Sequence, residues 1–214
     1  MKSSPAEDSG VSPSEPAAAA PRPLLGVVLA GGRSSRMGRD KAELPWQGQT
    51  LLDHTLALLA RLQPVCLRVS GRAHALGIAD LHPLSGPPGA VLSVLEWLHA
   101  RGELDGRALL LLPVDMPLLQ EATLQRLLAA VRPGRAACFR QQVFPCVLPA
   151  SPALLHHLRA LFAEGSTPGG RRSLRALLTF SAVLEVDEAG VDPAEFSNVN
   201  TPEDWQRLLG GVRA

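Results

Sequence analysis

The 214-residue chain contains no tyrosine and few other aromatic residues, only five Phe and three Trp. Proteins that bind single strands of nucleic acid usually stack the bases on aromatic side chains, so a surface of that kind is not expected here. The formal net charge of +1 agrees, because polyanion binding normally needs a strongly basic face. We therefore expect no nucleic acid polymer among the substrates.

Cysteines and long apolar runs are also scarce. Cys66, Cys138 and Cys146 are scattered without Cys-x-x-Cys spacing, which predicts reduced thiols rather than a zinc site or a disulfide framework. No apolar run approaches the length of a membrane span, and the first residues lack the apolar core of a signal peptide. These absences predict a cytoplasmic protein without a membrane anchor.

The chain divides at Pro23. Residues 1–23 are rich in Ser, Pro and Ala and almost without bulky apolar side chains, which predicts a disordered N-terminal extension. Residues 24–214 are enough for one domain. Strand-like runs alternate there with helical patterns, and the strands are expected at residues 24–29, 65–69, 107–112 and 183–186. The second helix is expected to begin near Ala90. The alternation predicts an α/β fold with three layers, a mainly parallel sheet with helices on both faces.

The segment from Val27 to Lys41 carries the clearest chemical signal. An apolar strand-like run ends at Leu29 and Ala30, and two glycines follow, Gly31 and Gly32. Glycines let backbone N–H groups approach an anion closely. Four cationic side chains come next: Arg33, Arg36, Arg39 and Lys41. The segment predicts binding of a phosphate chain, although Arg33 or Arg39 taken singly would fit an ordinary solvated turn.

This loop is not a Walker A motif. Five residues separate Gly32 from Gly38, where Walker A has four, and Arg39 follows in place of Lys-Ser/Thr. We therefore expect a nucleotide fold other than that of the P-loop proteins.

Asp115 lies at an equivalent place after the apolar run 107–112, which Pro113 terminates. In a parallel sheet the carboxyl ends of strands share one edge, so Asp115 and the glycine loop should open onto one crevice. A carboxylate beside phosphates is useful if it holds Mg²⁺, which makes Asp115 the candidate metal ligand. The alternative is that Asp115 organises a turn or caps a helix after Pro117.

Four segments together resemble the molybdenum cofactor guanylyltransferase family: LAGGRSSRMGRDKAEL at residues 29–44, SGPPGA at 85–90, PVDMP at 113–117 and FSNVNTPED at 196–204. The resemblance runs from about Leu24 to the C-terminus. It implies a Rossmann-like, GT-A-like nucleotidyltransferase that uses Mg²⁺ to transfer GMP from GTP to Mo-molybdopterin. A cytidylyltransferase, a sugar-phosphate nucleotidyltransferase, or a non-catalytic nucleotide-binding or cofactor-delivery protein remain the alternatives.

The resemblance also assigns roles to matching positions. It implies catalytic roles for Arg36, Lys41 and Asp115, with Asp115 as the metal ligand. The implied nucleotide-binding residues are Leu29, Ala30, Gly31, Gly32, Lys41, Asp80, Asp115, Asn198 and Asn200. Asn198 and Asn200 precede a capping box at Thr201–Asp204 that does not need them, and alternate residues of an extended segment point the same way, so both amides could face the crevice.

The acceptor half of the site is less defined. Arg172 or Arg175 could meet a pterin phosphate, or the same residues could form a solvated basic helix start. Phe144 stands where the family often has His, and residues 69–71 contain no Asn where the family often has one. The resemblance implies that Mo-molybdopterin is handed over by proteins of molybdenum cofactor biosynthesis or by target enzymes. The sequence does not determine the oligomeric state, and a monomer is the favoured expectation.

Overall fold

A computed structural model describes residues 23–31, 37–163 and 172–212. The predicted N-terminal extension, apart from Pro23, lies outside the described residues, and so do Gly32, Arg33 and Arg36 of the glycine loop. Within the described ranges, no helix combines the length and apolar character needed to cross a membrane.

Strands and helices alternate along the described chain. The strands are β1 (Leu24–Leu29), β2 (Pro45–Trp46), β3 (Gln49–Thr50), β4 (Cys66–Ser70), β5 (Gly77–Ile78), β6 (Arg107–Pro113), β7 (Ala137–Phe139), β8 (Cys146–Ala150) and β9 (Leu184–Val186). The α-helices are α1 (Leu51–Arg61), α2 (Gly86–His99), α3 (Glu121–Ala129), α4 (Pro152–Phe162), α5 (Leu174–Phe180) and α6 (Pro202–Val212). Short 3₁₀ turns form at Lys41–Glu43 and Pro193–Phe196.

Seven of the strands form one twisted sheet in the order β5-β4-β1-β6-β8-β7-β9. β1 pairs in parallel with both β4 and β6, placing Leu29 opposite Ser70 on one side and Pro113 on the other. β8 runs antiparallel to β6 and β7. The three adjacent parallel strands β4, β1 and β6 therefore end together at one edge.

Helices cover both faces, as the sequence predicts. Alternate residues of the central strands separate two buried clusters: Leu110 and Leu112 of β6 pack with α1 and α3, and Leu109 and Leu111 pack with α2, α4 and α5. Because both faces of β6 are buried, its sequence is a continuous apolar run rather than an alternating one. The predicted three-layer, mainly parallel α/β fold is confirmed.

The elements differ from the sequence predictions in three ways. α2 begins at Gly86, a full turn before Ala90, and Pro87 and Pro88 lie in its first turn. Proline is tolerated there because the first helical N–H groups have no partner within the helix. The strand-like runs 65–69 and 183–186 each begin one residue early, since β4 begins at Cys66 and β9 at Leu184. β7 and β8, like the short strands β2, β3 and β5, have no counterpart in the predicted strands.

Candidate active site

The glycine loop leaves β1 in close contact with the loop that follows β4. The Ala30 N–H donates to the Ser70 carbonyl at 3.0 Å. A Cβ built on Gly31 would lie 2.7 Å from the Gly71 Cα, and Gly71 has a φ of +91°. Both positions therefore require glycine, because the two backbones touch where a side chain would begin.

Lys41 is presented by a short turn that other residues hold in place. The Asp40 carboxylate accepts a hydrogen bond from the Ala42 N–H at 3.0 Å and so caps the 3₁₀ turn Lys41–Glu43. Arg72, from the loop after β4, contacts the carboxylates of both Asp40 and Glu43. The loops that follow β1 and β4 are thus joined by an arginine between two acids.

The Lys41 ammonium connects three distant segments. Its Nζ donates to Asp115 Oδ2 at 2.8 Å and to Asn200 Oδ1 at 2.7 Å. The side chains of Lys41 and Asp115 are only 16% and 18% exposed, so the ion pair is partly screened from water. The ammonium compensates the charge of Asp115 in this arrangement.

Asp115 does not cap a helix. α3 begins six residues later at Glu121, and the N–H of its N-cap residue, Gln120, donates to the Glu195 carboxylate instead. The Asp115 backbone carbonyl accepts from the Val199 N–H at 2.9 Å, which joins the segment carrying Asn200 to the end of β6. The helix-cap alternative for Asp115 is therefore wrong.

The capping box at the start of α6 fixes the Asn200 backbone. Thr201 Oγ1 accepts from the Asp204 N–H, and Asp204 Oδ2 accepts from the N–H groups of Thr201 and Asn200. These hydrogen bonds, first among them that of Asn200, lower the pKa of the Asp204 carboxyl, which keeps it ionised. Asn198 is exposed and, among the described residues, its side chain makes no hydrogen bond. The structure thus brings Asn200, and not Asn198, to Lys41.

His54 supports the Asp115 loop from behind. Its Nε2 lies 3.0 Å from the Pro117 carbonyl, and its ring packs edge-on against Trp46. Burial lowers the pKa of His54, an effect that the hydrogen bond to Pro117 opposes and the nearby Arg61 charge reinforces. A neutral imidazole with its proton on Nε2 donates to this carbonyl.

Two recesses open at this edge of the sheet. The first, which we call the Lys41 recess, has a volume of about 220 Å³ and is lined by Gly31, Lys41, Asp115 and Phe144 among others. The second, which we call the Asp80 recess, has a volume of about 250 Å³ and is lined by Ser70, Asp80, Leu84 and Ala90 among others. Leu29, Gly31 and Pro87 line both, so the two recesses adjoin.

Most of the predicted site residues that the structure describes meet at these recesses. Leu29, Ala30, Gly31, Lys41, Asp80 and Asp115 line one or both. Asp80 accepts from the Ser70 hydroxyl at 3.0 Å. Gly32 and Arg36 lie outside the described residues.

Arg172 and Arg175, the arginines suggested for the pterin phosphate, do not line the two recesses. The Arg172 Nε donates to the Leu161 carbonyl, and its guanidinium lies 4.9 Å from the centre of the Phe162 ring. Arg175 is exposed on α5.

The sequence pattern did not indicate His54, Arg72 or Leu84. Arg72 acts through an ion pair across about thirty positions, which no local pattern encodes. Leu84 lines the Asp80 recess, and its backbone takes a φ of +64°, a conformation that its residue type does not signal. For Arg72, the sequence offered one indication of a site: Gly71, the residue directly before it, follows the end of a strand.

The side chains of this site fit Mg²⁺ only if a bound phosphate compound supplies further oxygen ligands. Among the described residues, no group of three His, Cys, Asp or Glu side chains is arranged to hold a metal. Mg²⁺ in nucleotide sites commonly takes one or two carboxylates and completes its shell with phosphate oxygens and water. Asp115, facing the Lys41 recess, provides one such carboxylate.

The sequence matches a known family. The MobA-like NTP transferase domain family matches residues 26–183. A molybdenum cofactor guanylyltransferase of Xanthomonas euvesicatoria pv. vesicatoria is 43% identical over 189 residues, which cover 88% of this chain and 95% of that protein.

Solved structures share the fold at lower identity. The molybdopterin-guanine dinucleotide biosynthesis protein A of Archaeoglobus fulgidus superposes with a TM-score of 0.65 at 18% identity, over 88% of this chain and 98% of the other. The 2-C-methyl-D-erythritol 4-phosphate cytidylyltransferase of Thermus thermophilus gives 0.60 at 17% identity, over 88% and 98%. Since both structures share the fold, it does not distinguish one nucleotide from another.

Proposed function

The chain belongs to the MobA-like NTP transferase family, and we propose that it is a molybdenum cofactor guanylyltransferase. It would transfer GMP from GTP to the terminal phosphate of Mo-molybdopterin, giving the guanine dinucleotide form of the cofactor and pyrophosphate. The name of the relative at 43% identity supports this choice. The cytoplasm, where GTP is supplied, is the compartment that the proposal requires.

The observation that carries the proposal is the Lys41 contact. One ammonium lies within hydrogen-bond distance of both Asp115 and Asn200, beside a glycine loop and at the end of three parallel strands. A cation and a carboxylate at one recess, beside the loop that begins at Gly31, match the needs of a triphosphate with its counterion. A solvated surface turn would not hold a partly buried lysine between residues 74 and 159 positions away.

The reaction needs positioning and charge compensation more than acid–base chemistry. An oxygen of the acceptor phosphate attacks the α-phosphorus of GTP, the bond to the β-phosphate oxygen breaks, and pyrophosphate leaves. The attacking phosphate is already ionised at neutral pH, so the site needs no general base. The Gly31 loop and Lys41 would hold the triphosphate and offset the charge that develops on the leaving group.

We propose Mg²⁺ as the cofactor, with Asp115 as its protein ligand. When bound, Mg²⁺ would supply Lewis-acid stabilisation of phosphate oxygens. Asp115 is held for this role by Val199 through its backbone and by Lys41 through its carboxylate. Lys41, which donates to one oxygen of the same carboxylate, would hold phosphate oxygens beside it.

The Asp80 recess offers a carboxylate to the nucleoside. A carboxylate only accepts hydrogen bonds, so Asp80 suits the N1–H and N2–H₂ groups of guanine, the amino group of cytosine or the hydroxyls of ribose. The choice of GTP therefore rests on the relatives rather than on this recess.

The test of the function is pyrophosphate release with each of the four nucleoside triphosphates and Mo-molybdopterin in Mg²⁺. We expect GTP to be preferred; a clear preference for CTP would reject the guanylyl assignment.

The test of the site is Asp115→Asn. We expect turnover to fall by at least about 100-fold because the carboxylate that holds Mg²⁺ is lost, while circular dichroism and the melting temperature remain close to those of the wild type. Asp105→Asn, at the opposite end of β6 and exposed, is the matched control and should retain full activity. A non-catalytic nucleotide-binding or delivery protein would instead keep its function in Asp115→Asn, so retained function would favour that alternative.

A further inference from the structure

Leu84 is an unusual residue at the rim of the Asp80 recess. Its backbone φ is +64°, a region that bulky side chains rarely occupy, and the residue is 65% exposed. Few contacts within the protein can therefore offset the strained backbone. Strain of this kind, when the residue also lines a recess, suggests that the side chain has a role with a ligand.

The two adjoining recesses differ in character. The Lys41 recess contains the cation and Asp115, which suit phosphates and their metal. Apolar side chains supply most of the lining of the Asp80 recess, from Leu29, Leu84, Pro87 and Ala90. A nucleotide whose triphosphate lies beside Lys41 and crosses the shared rim at Gly31 would therefore place its nucleoside in the Asp80 recess.

The described lining of the Asp80 recess includes no aromatic side chain. Nucleobases are commonly held by stacking on aromatic rings, and this chain has no Tyr. An exposed aliphatic side chain can take that place, because packing a flat ring against it removes apolar surface of both from water. Leu84 is the exposed large apolar residue that lines this recess.

We propose that Leu84 is a positioning residue that packs against the face of the bound nucleobase and closes the Asp80 recess over it. Contacts on both sides of Leu84 fix its loop. The Ser85 hydroxyl donates to the His82 carbonyl, and α2 begins at Gly86, which also has a positive φ. The proposal rests on the proposed nucleotidyl transfer for the presence of a nucleotide. It adds a residue that contacts the base through apolar packing on the face of the ring and not through hydrogen bonds to its edge.

The experiment separates the base from the phosphates. Binding of GTP and of inorganic tripolyphosphate, each with Mg²⁺, is measured by calorimetry on the full chain. For Leu84→Ala we expect GTP to bind about five- to tenfold more weakly, consistent with loss of part of the burial of one leucine, and tripolyphosphate to bind as in the wild type. Leu84→Met, which keeps an apolar side chain of similar size, should restore GTP binding to within about twofold.

Two more variants guard against a structural explanation. Leu84→Gly removes the side chain and suits the positive φ, so its melting temperature should stay level or rise while GTP binding weakens as in Leu84→Ala. Leu81→Ala is the matched control, because Leu81 is 56% exposed in the same loop but is not among the lining residues of the recess. It should bind both ligands normally.

Equal weakening of GTP and tripolyphosphate in Leu84→Ala would overturn the proposal, since Leu84 would then act on the loop and not on the base. Unchanged GTP binding in Leu84→Ala and Leu84→Gly would overturn it as well. If the wild type prefers another nucleotide to GTP, the guanylyl function fails on its own, and the same comparison made with that nucleotide decides the role of Leu84.

Discussion

Gly71 and Gly31 show how one missing side chain lets two loops meet. A Cβ on Gly71 would overlap the Gly31 Cα, which belongs to the loop that we assign to the phosphates. Gly38 also has a positive φ, of +62°, but a Cβ placed there would meet nothing within 4 Å. Gly71 and Gly38 therefore both need a backbone with positive φ, but only Gly71 lies against a neighbouring backbone.

We predict that Gly71→Ala disrupts nucleotide binding and that Gly38→Ala leaves it largely intact. Both should lose about 1–2 kcal/mol of unfolding free energy through the left-handed backbone alone. Gly71→Ala should lose more and bind GTP at least about tenfold more weakly, because the Gly31 loop must move away. Denaturant unfolding and calorimetry measure the two effects. Equal results for both variants would contradict a special role for the Gly31–Gly71 contact.

Arg72 marks the limit of what single residues reveal in a sequence. Lys41 and Asp115 were predictable because each follows a recognisable strand and a parallel sheet brings strand ends together. Arg72 belongs to no local sequence pattern. Its side chain is 20% exposed and lies between the carboxylates of Asp40 and Glu43, which reach it only in the folded chain. Ion pairs of that kind follow from tertiary structure alone.

At the level of elements, the long periodic segments were predictable and the short ones were not. β1, β6 and α2 are long enough for their apolar pattern to identify them, although the start of α2 was placed too late. β7 has three residues, and β8 contains Pro149, which argues locally against a strand. β8 forms because Cys146–Ala150 pairs antiparallel with β6, an interaction that depends on distant residues.

The start of α6 joins a local element to the site. Its capping box was predictable from Thr201 to Asp204, because the motif satisfies N–H groups that any helix start exposes. The box also holds the N–H of Asn200, whose side chain accepts from Lys41. A helix cap therefore sets the position of a candidate site residue.

We predict that Thr201→Ala reduces both stability and turnover. Loss of the Thr201 hydroxyl removes the acceptor of the Asp204 N–H and should cost about 1 kcal/mol of unfolding free energy. Ser151→Ala is the matched control, because Ser151 caps α4 in the same way, through the Leu154 N–H. It should lose a similar amount of stability and retain turnover. If both variants retained full turnover, the link between the α6 cap and Asn200 would be refuted.

For the molecule as a whole, the core and the site share the same strands. β1 and β6 lie at the centre of the sheet, contribute to both buried clusters, and end at Leu29 and Pro113, where the site begins. His54 extends this coupling, since it lies on α1, packs on Trp46 in the core and contacts Pro117 beyond Asp115. Its protonation should therefore affect global stability.

We predict that the protein loses stability as the pH falls below about 6.5, in part through His54. Burial lowers the pKa of His54 in the folded state, so between that lowered value and the ordinary value near 6.5 the unfolded chain binds more protons than the folded one, and acid favours unfolding. His54→Gln removes the titration and keeps a donor for the Pro117 carbonyl, so its melting temperature should fall less than that of the wild type between pH 7.5 and 5.5. His156→Gln, at an exposed position of α4, is the control and should follow the wild type.

Burial also lowers the pKa of His157, so some loss of stability at low pH should persist in His54→Gln. Parallel melting curves for His54→Gln and the wild type across this range would show that His54 does not couple protonation to folding.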